Sequence, residues 1–339
     1  MPEITVLMPT YNCERYIDSA INSILSQSFE DFEFLIIDDA SEDETPFKIL
    51  QYHDSRIRFI QKKENTGLVQ SLNIGITMAK GKYIARMDGD DIALHERLEM
   101  QYRLLKDNKG IGVCGTWADC IDENGEMLKT LRHPIKHEDI KAGLLSYCTV
   151  VHPSVLIRKS IFSNRNHLYD ARYSHVEDYE LWVRLMKDNI IFENIPRVLL
   201  KYRFHSQQVS RLYYEFQKPS TNEVGLIHLY NLSGVLSNEE RDIHTKFISN
   251  NVNGSRNELK RLRSWLLYLD KKNRGIGYFS VESLNHFIKS HLEANIVRLK
   301  YYHPYLLLLL FSHFHPFNSW FNPIKWKTLI KTCIFWKSR

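Results

Sequence analysis

The chain is short of several things. Its five cysteines (Cys13, Cys114, Cys120, Cys148, Cys333) are odd in number and none stands in CxxC spacing. That argues against a disulfide framework or a zinc site and fits a reducing compartment. No apolar run exceeds the seven residues Tyr305 to Phe311, well short of the ~20 needed to cross a bilayer as a helix. The opening MPEITVLMPTYN enters an apolar strand without a charged leader or signal-type core, so secretion is not expected. The place after that strand, PTYNCERY, holds no glycine-rich phosphate loop. From Lys300 to Arg339 there are six Lys/Arg and no Asp or Glu, which leaves 39 basic and 40 acidic side chains elsewhere. The net charge of +5 therefore belongs to the tail. With 43% hydrophobic and 25% charged residues, the 339-residue chain is neither disordered nor collagen-like and forms one large or two smaller domains.

What is present is a regular alternation. ITVLM (Ile4 to Met8) reads as a buried strand, and Ala20, Ile21, Ile24 and Leu25 follow at helical spacing. FEFLIID (Phe32 to Asp38) is a second strand. The SEDE that follows, Ser41 to Glu44, has the form of a capping box and predicts a helix start. IRFIQ is a third strand, Leu68 to Lys80 another helix, and KYIARM a further strand. Such alternation predicts an α/β fold, a mostly parallel sheet flanked by helices, with ligands bound beyond the C-terminal strand ends. Past Gly110 the pattern loosens into a turn at DENG, strands at VVHPSVLIRK and VLLKYRF, and a helix starting near Asp178. From about Tyr213 the chain reads helical, with Leu259, Leu262, Trp265, Leu266 and Leu269 forming a core stripe.

Three polar clusters fall at strand ends: Pro9-Thr10-Tyr11-Asn12, Asp38-Asp39 and Asp88-Gly89-Asp90-Asp91. Like charges this close repel and raise one another's pKa, so the last cluster calls for a counter-charge, most simply a hard cation held with substrate phosphates. Gly89 would let a ligand approach the backbone. Helix capping and turn formation account for the same acids equally well. Asp39 suits either a turn beside Ser41 or a ligand's N–H donors. Glu177 and Asp178 suit the start of a helix, where the macrodipole favours acids, or a general base reaching an acceptor hydroxyl. His152, in VHPSV, is of a type that more often satisfies a structural hydrogen bond.

Taken in order, VLMPTYN, INSILSQSFEDFEFLIIDDASEDET, ENTGLVQSLNIGI, GKYIARMDGDDIALHERL, VHPSVLIRKS, VEDYELWVRL and YRFHSQQVS resemble the motifs of family 2 glycosyltransferases, enzymes of the GT-A fold. The resemblance covers about the first 210 residues. It implies a catalytic domain over 1–210, with a nucleotide-sugar half (1–110) and an acceptor half (111–210), followed by a helical region over 211–339. It implies that Pro9, Tyr11 and Asp39 hold a uridine, that Asp88 meets the donor's ribose or diphosphate side, and that Asp90, with Asp88, binds Mn²⁺ or Mg²⁺. Arg86 would be a further phosphate or sugar contact, and Asp178 the general base of an inverting transfer. Glu177, Trp182 and His152 are the candidates for the acceptor side, and Asp91 is structural. The Gln-x-x-Arg-Trp motif and membrane helices of processive members are missing, so one sugar per encounter is expected. Glu180 departs from the family, where Asp is frequent.

The implied donor is a UDP-sugar and the implied acceptor a polyprenyl-linked or other oligosaccharide, in O-antigen or capsule synthesis. A nucleotidyltransferase and an inactive nucleotide-sugar binder are the alternatives, and no nucleic-acid module is visible. The tail's basic residues interleave with Trp320, Trp326 and Trp336. That suits either a peripheral contact of residues 300–339 with the inner face of the cytoplasmic membrane or an aromatic cap on the core.

Overall fold

The computed structural model describes residues 1–205 and 214–298. The chain divides after Val224 into two compact units.

In the first unit, β1 (Ile4–Thr10), β2 (Phe32–Asp38) and β4 (Tyr83–Arg86) are buried along their whole length. This is why they read as unbroken apolar runs rather than alternating ones. With β3 (Ile57–Gln61) they form a parallel half-sheet, in the order β3-β2-β1-β4. The intervening helices are α1 (Ile17–Leu25), α2 (Thr45–Leu50) and α3 (Leu68–Met78). The α1 residues Ile17, Ala20, Ile21 and Ile24 join Ile4, Val6, Met8, Phe34 and Ile36 in the core, each large apolar side chain contributing about 1.5–3 kcal/mol.

The order continues β8 (Leu156–Arg158), β6 (Ile111–Ile121), β9 (Ile191–Arg203) and β5 (Ile92–Ala93), with β7 (Met127–Leu131) on β6. β6 and β9 run parallel over almost their full length, while β8 lies antiparallel to both β4 and β6. The sheet is thus mostly parallel by paired length and flanked by helices, including α4 (Arg97–Asp107), α5 (His137–Gly143) and α6 (Glu177–Lys187).

Register fixes the site. Thr10 pairs with Asp38 and Leu7 with Arg86, so the tips of β1, β2 and β4 open on one edge.

Local expectations fail in two places. The SEDE segment does not cap α2: the helix starts at Thr45 and has no side-chain cap. The Ser41 hydroxyl instead donates to Asp38, 2.5 Å away. VVHPSVLIRK is strand only over Leu156–Arg158, because Pro153 sits in a tight turn at His152–Ser154. Gly89 is also closely packed: a Cβ there would stand 2.8 Å from the Cys13 sulfur. The DENG turn is present, with Asp122 Oδ1 accepting from the amides of Asn124 and Glu126.

The second unit is helical. Besides α7 (Tyr214–Ser233), which crosses the boundary, it holds α8 (Asn238–Ile248), α9 (Arg256–Ile276) and α10 (Val281–Arg298). Ser237 and Glu240 form a reciprocal capping box on α8, and the expected stripe on α9 is buried. Among the described residues no helix is long and apolar enough to cross a membrane. The expected membrane contact of residues 300–339 lies outside the described residues.

Candidate active site

The loops after β1 and β2 are laced together. Asn12 donates its amide to the Ser41 hydroxyl and accepts from the Glu42 amide, each at 2.9 Å. Asn12 (φ 48°) and Ala40 (φ 58°) are both left-handed; for alanine this costs about 1–2 kcal/mol, of the kind concentrated at functional sites. Pro9 is buried near the end of β1, and Tyr11, 47% exposed, follows directly after the strand. Asp39 is buried, but its donors come from its own chain: Thr66 and Gly67 give backbone N–H groups at 3.0 and 2.8 Å, and Lys62 makes an ion pair.

At the tip of β4, Asp88, Asp90 and Asp91 each offer an oxygen, all within 4.8 Å of one another. Burial, then the neighbouring Asp90 and Asp88, push the Asp91 carboxyl well above its usual range. Asp88 is raised by burial, an effect opposed by Arg86 and increased by Asp90 and Asp178. Arg86 forms an ion pair with Asp88 and is 4% exposed, yet its Nε finds no hydrogen-bond partner. Beneath it the buried Arg97 donates to the Arg86 carbonyl at 2.6 Å.

The end of β9 returns to this cluster. Arg203 donates from its amide to Asp91 Oδ1 and from Nε to the Asp90 carbonyl, both at 2.8 Å, and from Nη1 to the Asp122 carbonyl at 3.0 Å. His205 Nε2 lies 2.8 Å from Asp90 Oδ2. Asp91 Oδ2 is buried without a partner. Clustered hard oxygens beside an imidazole, with one oxygen orphaned, fit a divalent cation such as Mg²⁺ or Mn²⁺.

Glu177 and Asp178 open α6. Asp178 Oδ1 accepts from the Tyr179 amide at 2.7 Å, and the Cys148 thiol donates to Oδ2 at 3.6 Å. Burial raises the Asp178 carboxyl, while the Tyr179 amide, Arg86 and Cys148 hold it down. Glu177 is pushed up to about 7 by burial and by Asp178. Arg86 therefore acts electrostatically on both Asp88 and Asp178, and the β4 and α6 acids face a common space.

His152 is 2.7 Å from the Tyr169 hydroxyl and held well below its ordinary pKa by burial and Arg86, a neutral histidine within the wall. Trp182 is wholly buried, edge-on to His152 and Phe192. Glu180 pairs with Arg184, which donates to the Leu168 carbonyl at 2.9 Å. Its departure from the usual Asp thus serves the wall.

Lys62, Cys148, Arg203 and His205 were not distinguished from the sequence. His205 follows a strand, as Asp39 and Asp88 do, and it stands with Arg203 in YRFHSQQVS, one of the stretches that carry the family resemblance.

Residues 5–165 match the family model "Glycosyl transferase family 2". A glycosyltransferase of Haemophilus influenzae is 31% identical, over 86% of this chain and 92% of its own. The O-antigen biosynthesis glycosyltransferase WbnJ of Escherichia coli is 33% identical, over 65% of this chain and 88% of its own. The E. coli UDP-Glc:alpha-D-GlcNAc-diphosphoundecaprenol beta-1,3-glucosyltransferase WfgD is 31% identical, over 61% and 79%. Among solved structures, S. aureus TarS 1-349 in complex with UDP-GlcNAc superposes with a TM-score of 0.55, covering 92% of this chain and 91% of that one at 17% identity. The fold is that of the GT-A glycosyltransferases. Within that class, the chain belongs to glycosyltransferase family 2, which leaves the nucleotidyltransferase alternative without support.

Proposed function

We propose that this glycosyltransferase moves one sugar from a UDP-sugar to a hydroxyl of a polyprenyl-diphosphate-linked saccharide, with inversion, so that an α-linked donor yields a β-glycoside. The product would enter a surface polysaccharide such as O-antigen or capsule, a setting supported by the relatives WbnJ and WfgD. The observation that carries the proposal is the place of Arg86, paired with Asp88 on the donor side and acting on Asp178 on the other. Donor phosphates and the acceptor hydroxyl would meet around one buried guanidinium.

In this reading Pro9, Tyr11 and Asp39 frame the base of the nucleotide. Asp39, already fixed by Lys62 and two amides, is preorganised to accept from a ring N–H at low cost in ordering. Asp88 and Asp90 would hold Mn²⁺ or Mg²⁺, with His205 beside Asp90 as a further ligand or as the group that orients it. When bound, the cation would offset the charge that gathers on the departing diphosphate. Arg86 contributes to the same end as a fixed, partly unsatisfied donor. Asp178 takes the proton of the acceptor hydroxyl, and Glu177 and Trp182 shape the acceptor side. His152 supports that wall through Tyr169. Residues 300–339 would hold the enzyme at the inner face of the cytoplasmic membrane, where such an acceptor is displayed.

The test is a screen of UDP-sugars, with and without Mn²⁺, on the wild type and Asp178→Asn, reading both UDP release and transfer to the lipid-linked acceptor. Metal-dependent transfer, reduced about 10²–10⁴-fold by the substitution, is expected. Metal-independent transfer, or an Asp178→Asn variant as fast as the wild type, would refute the mechanism.

A further inference from the structure

The hairpin formed by β6 and β7, with the strap after it, displays apolar side chains that the rest of the sheet buries. Met127 is 60% exposed, Leu128 56% and Ile135 38%. From Met127 to His137 the chain carries Lys129, Arg132 and Lys136 and no Asp or Glu. Lys129, Arg132 and Lys136 are all exposed, and among the described residues none of the three is in an ion pair; Lys129 lies over Phe204 and Arg132 over Trp117. The nearest acids in sequence flank the stretch: Glu123 is paired with Arg15, Asp119 accepts from Thr130, and Glu138 and Asp139 sit in the first turn of α5. Glu126 is the exposed acid at its start.

This backbone is fixed. Asn194 donates from its amide to the Ile135 carbonyl at 2.9 Å and from its side chain to the Pro134 carbonyl at 2.6 Å, while Trp117 Nε1 donates to the His133 carbonyl at 3.0 Å. A rigid display of apolar and basic groups, without acids, is what an anionic lipid interface complements.

Its two ends lie at the two halves of the candidate site. At the turn between the two strands, Arg203 joins the Asp122 carbonyl to the Asp90 carbonyl. At the far end, the His133 ring lies 6.0 Å from that of Tyr147, whose neighbour Cys148 donates to Asp178.

We propose that the exposed edge strand β7 and the strap after it, through Met127, Leu128 and Ile135 with Lys129, Arg132 and Lys136, form a membrane-contact edge that seats this unit on an anionic bilayer. On the reading of function above, on which this step rests, seating there brings a lipid-anchored acceptor to Asp178.

The test is co-sedimentation of the full chain with vesicles of phosphatidylcholine alone or mixed with phosphatidylglycerol. The comparison includes Met127→Ser/Leu128→Ser and Lys129→Gln/Arg132→Gln/Lys136→Gln, with unchanged melting as the folding control. The wild type is expected to prefer the anionic vesicles. The triple variant should bind them roughly 100-fold more weakly, about five-fold per charge removed, and the double variant should bind both compositions more weakly. A wild type that ignores the vesicles, as it would if this edge met a protein partner, overturns the proposal, and so does either variant binding as the wild type does. Transfer to a water-soluble saccharide acceptor is read separately. Its absence in the wild type counts against the reading of function, whereas vesicle binding bears on the edge itself.

Discussion

Arg86→Met is the substitution that tests most of the site at once. It removes a guanidinium that is 4% exposed and leaves Asp88 facing Asp90 and Asp178 without its counter-ion. Deleting one partner of a buried pair costs about 3–5 kcal/mol, because the other charge stays behind. The Asp88 side chain retains 26% exposure, so the lower end, about 3 kcal/mol, is expected as the loss in unfolding free energy from urea titration at neutral pH. The pH dependence follows from the same contact. Arg86 lowers the pKa of Asp88, Glu177 and Asp178, so its loss raises all three. The acidic limb of kcat/KM, set in this mechanism by ionisation of Asp178, moves to higher pH, and activity at neutral pH falls at least about tenfold. Adding Asp88→Asn removes the stranded charge and should recover stability without recovering activity. An Arg86→Met variant that loses under about 1 kcal/mol, well below the cost of a broken buried pair, and keeps the wild-type acidic limb would refute the role given to this residue.

Other expectations test neighbouring contacts. Cys148→Ala removes a donor that lowers the Asp178 pKa, so the acidic limb should shift up in pH while Cys148→Ser holds it in place; identical profiles for wild type and alanine variant would show that the thiol only fills space. Glu177 ordinarily titrates near 4.5 and is raised to about 7 in the fold, so its contribution to stability is present in full below about 4.5 and lost as pH rises through 7. Melting from about pH 5 to about pH 8 should therefore fall for the wild type relative to Glu177→Gln, and parallel curves would contradict the raised value. At the opposite end of the sheet, a Cβ on Gly81 would stand 2.4 Å from the Thr5 backbone nitrogen. Gly81→Ala should cost about 1–3 kcal/mol or more from overpacking while leaving KM for the donor unchanged, and an unaltered urea midpoint would count against the close approach.

The parallel half of the sheet was open to reading because its cause is local. Strands buried on both faces are continuous apolar runs, and FEFLIID appears as strand over its whole length. The acids could be located because they stand at strand tips, where a carboxylate after an apolar run faces either solvent or a ligand. What could not be read depends on contacts far apart in the chain. Arg203 and His205 reach Asp90 and Asp91 across 112 to 115 residues, and nothing local in YRFH records it. Cys148 meets Asp178 across 30 residues, and Lys62 meets Asp39 across 23. The SEDE segment misled for a related reason. A capping box is a local pattern, but the Ser41 hydroxyl had a nearer partner in Asp38 and a second in the Asn12 amide. Gly89 lies against Cys13, in the loop after β1.

The charge balance explains why such an arrangement stays folded. Five carboxylates, Asp88, Asp90, Asp91, Glu177 and Asp178, share the space around Arg86, and the guanidiniums set against them are Arg86, Arg97 and Arg203. If all were ionised and His205 neutral, the cluster would fall two positive charges short. Without a cation, proteins meet such a deficit by retaining protons. Here burial raises the carboxyls of Asp88, Asp91, Glu177 and Asp178, and neighbouring acids add to it at the first three. A divalent cation would supply the missing two charges and release those protons. The same ion that offsets diphosphate charge would thereby lower the pKa of Asp178 and ready it as a base. On the proposed reading, donor binding and base ionisation would be linked through one cluster, with Arg86 as the fixed charge between them.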